Sequence, residues 1–194
     1  MLSCDFTSGA IAHRLKFGGG RNQALPRAAG FSRGRTPKII DATAGLGRDA
    51  FLLASLGAQV TLIERSPDVY SALHDGLLRA QEGPVEIADI TARMTLIHGD
   101  ARDLLGELET EVVLVDPMHP PRRGSALVKQ EMRLLRKLVG ADRDSLDLMH
   151  AALKAATSRV VLKWPLRAAP MSGLQPPSHQ ISGKTTRYDV FMTL

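Results

Sequence analysis

The sequence predicts an α/β domain with a largely parallel sheet, and three observations carry that expectation. Short apolar segments recur at Lys38 to Ile40, Gln59 to Glu64, Met94 to His98, Glu111 to Asp116 and Arg159 to Trp164. Between them lie stretches with helical spacing, the alternation expected of βα units. The first strand also runs straight into the glycine-rich turn Asp41-Ala-Thr-Ala-Gly-Leu-Gly-Arg-Asp49, which opens a helix from Ala50 to Leu56.

Composition sets the bounds. At 194 residues the chain has room for one well-buried core and too little for two of ordinary size. Its 44% hydrophobic and 23% charged residues fit a folded globular protein rather than a disordered one. The 25 Lys and Arg residues outnumber 20 Asp and Glu, for a net charge of +5, which suits a polyanionic partner. Cys4, the single cysteine, has no intrachain partner, and no apolar run reaches membrane-spanning length. A reducing, cytoplasmic setting is the expectation.

The charge is uneven. From Phe6 to Ile40 there is no acidic residue, while Arg14, Lys16, Arg21, Arg27, Arg33, Arg35 and Lys38 are all basic. Residues 1–37 are therefore expected to form a basic arm packed on a domain made by residues 38–194. Gly18-Gly19-Gly20, flanked by Lys16 and Arg21, suits close approach to a phosphate backbone or a cofactor. A solvated arm docked on the domain accounts for the same composition.

In the glycine turn, Gly45 and Gly47 allow a tight reversal, and the following helix directs free N–H groups at the same place. Gly45-Leu-Gly47-Arg-Asp-Ala50 fits a dinucleotide pattern. Asp41 and Asp49, however, would oppose a pyrophosphate and suit a cation. S-adenosylmethionine, with a sulfonium and an ammonium, is the better match. A plain βα turn with Asp49 facing the helix dipole remains the simpler alternative.

Glu64 ends the second strand, where a carboxylate can accept from both ribose hydroxyls. Pro67 starts a helix that continues from Val69 to Ala80, and Gln81 to Ile90 reads as a polar loop. After the third strand, Asp100 is placed to meet an adenine amine or to cap a helix over Ala101 to Leu108. The almost wholly apolar fourth strand is expected at the sheet centre and ends in Asp116-Pro-Met-His-Pro-Pro121. There Asp116 can accept a hydrogen bond from an exocyclic amine, Pro117 stiffens the turn and His119 can stack on a base.

Further on, Ser125 to about Val139 reads as a helix with an apolar stripe and Lys129, Arg133, Arg136 and Lys137 on its other faces. Asp144 to Ala156 is another helix. Lys163 and Trp164, at the end of the fifth strand, can reach a substrate, although Trp164 also suits packing. Ala168 to Ser178 is a loop, and Tyr188 to Thr193 the last strand.

Taken together, these segments resemble the small-subunit ribosomal RNA (guanine-N2)-methyltransferase J family. The similarity rests on Ala12 to Arg21, Asp41 to Ala50, Leu62-Ile-Glu-Arg65, Asp116-Pro-Met-His-Pro120 and Ser125 to Met132, in order along the chain. The resemblance implies a Rossmann-like class I methyltransferase domain over residues 38–194, with seven strands, mostly parallel and one antiparallel. It implies S-adenosylmethionine as cofactor and methyl transfer to the exocyclic amine of a guanine in 16S RNA or the small ribosomal subunit. Arg48, Asp49, Glu64, Arg65 and Asp116 fall on the family's cofactor positions, as do Asp100 and Ala101 where relatives can carry serine. His119 stands where relatives carry Phe or Tyr. No metal is expected. The alternative is a non-catalytic RNA-binding assembly factor of the same fold, and an NAD-dependent oxidoreductase is disfavoured by the acid-rich loop.

Overall fold

The computed structural model describes residues 2–7, 20–118 and 144–193. The calls at Arg14, Lys16, Gly18, Gly19 and His119, and the helix expected from Ser125, lie outside them. A seven-stranded sheet in the order β3-β2-β1-β4-β5-β7-β6 runs through the domain. Its strands are β1 (Ile39–Asp41), β2 (Val60–Glu64), β3 (Met94–His98), β4 (Thr110–Val115), β5 (Ala156–Pro165), β6 (His179–Ser182) and β7 (Thr186–Met192). The first five pair in parallel, and β7 is antiparallel to both β5 and β6. One strand therefore opposes the other six, as expected.

The helices are α1 (Ala24–Ala28), α2 (Arg48–Ser55), α3 (Pro67–Gln81), α4 (Val85–Thr91), α5 (Ala101–Leu104) and α6 (Ser145–Ala155). Alternation along the strands divides the core between the two faces of the sheet. Ile39, Val60, Leu62, Val112, Leu114 and Val161 meet the apolar sides of α1 to α4. Ile40, Ile63, Val113, Val115, Val160 and Leu162 meet Ala101, Met149 and Ala152 from α5 and α6. β4 is buried at nearly every position because both of its edges are paired, with β1 and with β5, and both faces are covered.

Two expectations need correction. The polar stretch after α3 is not a loop throughout, because Val85–Thr91 forms α4. Pro84 sets its start, and Ile87 and Ile90, three residues apart, put two apolar side chains on one buried side. The second concerns an omission: the expected loop ends at Ser178 and nothing is assigned before Tyr188, yet His179–Ser182 pairs with β7 as an edge strand, although three of its four residues are exposed. The helix after Asp100 also tightens into a 3-10 turn at Leu105–Glu107.

The two described pieces of the N-terminal region pack on the domain. Phe6 is buried and stacks on Phe51 of α2 with ring centroids 5.0 Å apart. The Cys4 thiol donates to the Leu46 carbonyl in the glycine turn, and Arg79 of α3 donates to the Cys4 carbonyl. Arg21, counted above among the cations of the basic arm, donates to the Ser32, Arg35 and Leu56 carbonyls and the Thr36 hydroxyl, and lies over the Phe31 ring, as the docked-arm alternative expects. It ties the segment before β1 together. Arg27 and Arg33 remain exposed.

Candidate active site

The carboxyl ends of the parallel strands enclose a cavity of about 500 Å³. In the strand order, the chain leaves β1 for β2 on one side while β4 lies on the other, so loops diverge at this point and leave a crevice. The glycine turn forms its floor. Gly45 has φ +54° and Gly47 has φ +67°, the left-handed region that a side chain disfavours. Gly45 lines the cavity, but Gly47 does not. A Cβ on Gly47 would lie 2.9 Å from Leu73 Cδ1 and 3.3 Å from Phe6 Cζ, so this glycine serves the packing beneath the turn.

Glu64 braces the turn from the adjacent strand. One carboxylate oxygen accepts the Gly45 N–H at 2.9 Å and the other the Ser66 N–H at 2.8 Å. Burial raises its pKa above the usual carboxylate value, while the Ser66 and Gly45 N–H groups oppose that shift. Each oxygen keeps a second lone pair for a ligand hydroxyl. Arg65, next in sequence, pairs with Asp144 at 2.6 Å. Asp100 caps α5 by accepting the Arg102 N–H and pairs with the Arg102 guanidinium at 2.7 Å. Both predicted roles of Asp100 concern one carboxylate, and the capping role is present. The hydrogen bond from Arg102 lowers its pKa. Ala101, buried behind Asp100, also lines the cavity.

Acidic groups gather at the other end. Asp41, 3% exposed, accepts the Thr43 N–H at 3.2 Å. Burial, followed by repulsion from Asp49, pushes its pKa up to about 7. The Thr43 hydroxyl accepts the Asp116 N–H at 2.7 Å, joining the glycine turn to the Asp-Pro turn. Lys163, from β5, donates to both Asp49 and Asp116 at 2.7 Å. Burial works against its charge, but Asp49 and Asp116 outweigh burial and raise its pKa. The sequence places Lys163 at a strand end near the substrate, yet its two carboxylate partners are 114 and 47 positions away and carry no local signal.

The structure therefore brings Asp41, Gly45, Arg48, Asp49, Glu64, Arg65, Asp100, Ala101, Asp116 and Pro117 around one cavity, with Met118 beside them. Among the described residues, the carboxylates of Asp41, Asp49 and Asp116 face the one ammonium of Lys163, so this wall favours a cationic ligand over a pyrophosphate. The residues present fit a nucleoside that carries a sulfonium and an ammonium. Among the described residues no group of His, Cys, Asp and Glu is arranged to hold a metal ion, and no helix is long and apolar enough to cross a membrane.

Comparison with known proteins agrees with this chemistry. A family model described as putative SAM-dependent methyltransferase matches residues 1–193. The ribosomal RNA small subunit methyltransferase J of Agrobacterium fabrum is 66% identical over 188 residues, covering 97% of this chain and 90% of the relative. That of Rhodopseudomonas palustris is 62% identical over 191 residues, covering 98% and 88%. The crystal structure of a SAM-dependent methyltransferase from Neisseria gonorrhoeae superposes with a TM-score of 0.77 at 37% identity, covering 98% of this chain and 74% of that one. The chain belongs to the SAM-dependent methyltransferase family, within the group named ribosomal RNA small subunit methyltransferase J.

Proposed function

We propose that the chain methylates the exocyclic N2 amine of one guanosine in 16S ribosomal RNA, free or within the small ribosomal subunit, in the cytoplasm. The observation that carries this reading is the placement of Asp116. Its side chain is 41% exposed at the cavity, its N–H is held by Thr43, and it stands beside the acidic wall that suits the cofactor. The names of the close relatives supply the ribosomal RNA substrate.

S-adenosylmethionine supplies an electrophilic methyl carbon on its sulfonium, open to in-line displacement by an amine nitrogen. Asp41 and Asp49 would attract its cationic end, Glu64 and Arg65 would meet the ribose, and Asp100 with Ala101 would border the base. Gly45 and Arg48 complete the turn beneath it, and Gly47 supports that turn from behind. A guanine amine is a weak nucleophile because its lone pair is delocalised into the ring. Asp116 accepts one of its N–H groups and favours the pyramidal nitrogen of the transition state, where the interaction is strongest. Pro117 limits the freedom of the turn, and His119, outside the described residues, would be the partner for stacking on the base. As the C–N bond forms, the methyl–sulfur bond would break and S-adenosylhomocysteine would leave as the neutral thioether; the surplus amine proton would pass to solvent water after bond formation has begun, so no strong general base is needed.

Exposed Arg27 and Arg33, with the chain's net charge of +5, favour an RNA phosphate backbone. Radiolabelled methyl transfer to small-subunit RNA, followed by mass-spectrometric mapping, tests the assignment. Asp116→Ala is expected to lower transfer at least ~100-fold while cofactor binding weakens only modestly. A wild-type protein that binds the RNA but never transfers a methyl group would instead be an assembly factor.

A further inference from the structure

Lys163 lies in the cavity between residues assigned to the cofactor and to the target amine, yet no step above uses it. Its ammonium is 2.7 Å from Asp49 Oδ2, in the first turn of α2, and 2.7 Å from Asp116 Oδ2, just beyond β4. β5 puts it there because Val115 lies opposite Leu162 in the parallel pairing with β4. The next residue of each strand therefore emerges at the same edge.

We infer that Lys163 is a positioning residue for methyl transfer, locking the Asp116 carboxylate to the cofactor loop through Asp49 and keeping both carboxylates ionised. This inference rests on the reading of Asp116 given above. One ammonium in two short charge-assisted bonds fixes the orientation of Asp116 relative to the glycine turn. The Thr43 hydroxyl fixes the backbone of the same residue at 2.7 Å. Side chain and main chain of Asp116 are thus both referred to the surface on which the cofactor lies, which sets the distance between the two reactants.

Charge supports the same role. Among the described residues, the groups facing Lys163 are Asp49 from α2 and Asp116 from the turn after β4, with Asp41 from the end of β1 also acting on it. Arg48 lines the same cavity, and the Arg65, Asp100, Arg102 and Asp144 cluster occupies its far side. Without the ammonium, three neighbouring carboxylates would raise one another's pKa, and the first to protonate would lose its value as an acceptor.

The test compares wild type, Lys163→Met and Lys163→Arg by methyl transfer to small-subunit RNA under saturating conditions across neutral pH. S-adenosylhomocysteine binding is measured calorimetrically on the same proteins. Lys163→Met is expected to lose at least ~10-fold in kcat near neutrality and to recover as pH rises, its acid limb moving up by about 1 pH unit or more. Lys163→Arg keeps the charge and is expected to keep the wild-type acid limb. Wild-type kcat in Lys163→Met, or a loss that is equal at every pH and unrelieved by arginine, overturns the inference. If wild type itself methylates no RNA, the proposed function fails, and the inference is judged on S-adenosylhomocysteine binding. There the acid limb shifts in Lys163→Met if the ammonium holds the carboxylates ionised, and an unmoved limb overturns the inference. Should the methionine variant not fold, the arginine variant decides: a displaced acid limb in a folded protein overturns the inference and an unmoved one supports it.

Discussion

Glu64 accepts the N–H of Gly45 across 2.9 Å, from one strand tip to the turn that leaves its neighbour. A residue chosen by sequence for its position near a ribose is thus also a support for the loop beneath the cofactor. Glu64→Gln keeps the shape but turns an NH2 toward one of the two backbone N–H groups, which then lacks an acceptor. The expected loss is about 1–3 kcal/mol of folding stability together with weaker S-adenosylmethionine binding. Denaturant unfolding and calorimetry measure the two. Weaker binding at unchanged stability would leave Glu64 as a ligand contact alone.

Gly47 separates backbone strain from crowding. Gly47→Ala must hold φ near +67° and also place a methyl 2.9 Å from Leu73 Cδ1, whereas Gly34→Ala faces φ +80° with nothing within 4 Å. The Gly34 variant is expected to cost about 1–2 kcal/mol and the Gly47 variant a further 1–3 kcal/mol or so. Equal costs by chemical denaturation would mean that the packing of Phe6 and Leu73 under the turn yields freely.

Asp41 links stability to pH in an unusual direction for a carboxyl group. Its folded pKa of about 7 lies above the ordinary aspartate value of 3.8, so the folded protein holds a proton that the unfolded chain releases. Its contribution is full below about pH 4 and fades as pH rises to about 7. Asp41→Asn should remove that slope, so that the variant gains on wild type as pH rises through this window. Thermal unfolding at a series of pH values gives the comparison. A difference between the two proteins that stays constant across the window would show that Asp41 does not titrate there.

Much of the architecture is readable in the sequence because the five parallel strands are short apolar runs whose ends carry the acids. Asp41, Glu64 and Asp116 stand at or just past strand ends, where periodicity and the glycine turn locate them without tertiary information. What escapes depends on partners distant in the chain. The edge strand His179–Ser182 has little burial to mark it, and its identity comes from pairing with β7. Arg21 is by composition one cation of a basic arm and becomes a structural tie only once Ser32, Arg35 and Leu56 surround it. Lys163 likewise acquires its two acidic neighbours only when β5 aligns beside β4.

The position of β7 between β5 and β6 bears on the order of assembly. β6 is synthesised before the strand that seats it, and β7 is its only partner among the described strands. The two must join the sheet as a hairpin, or β6 must wait. Until then β5, which supplies Lys163, presents an open edge to other chains, and a released chain truncated before Thr186 would be exposed to strand-mediated self-association.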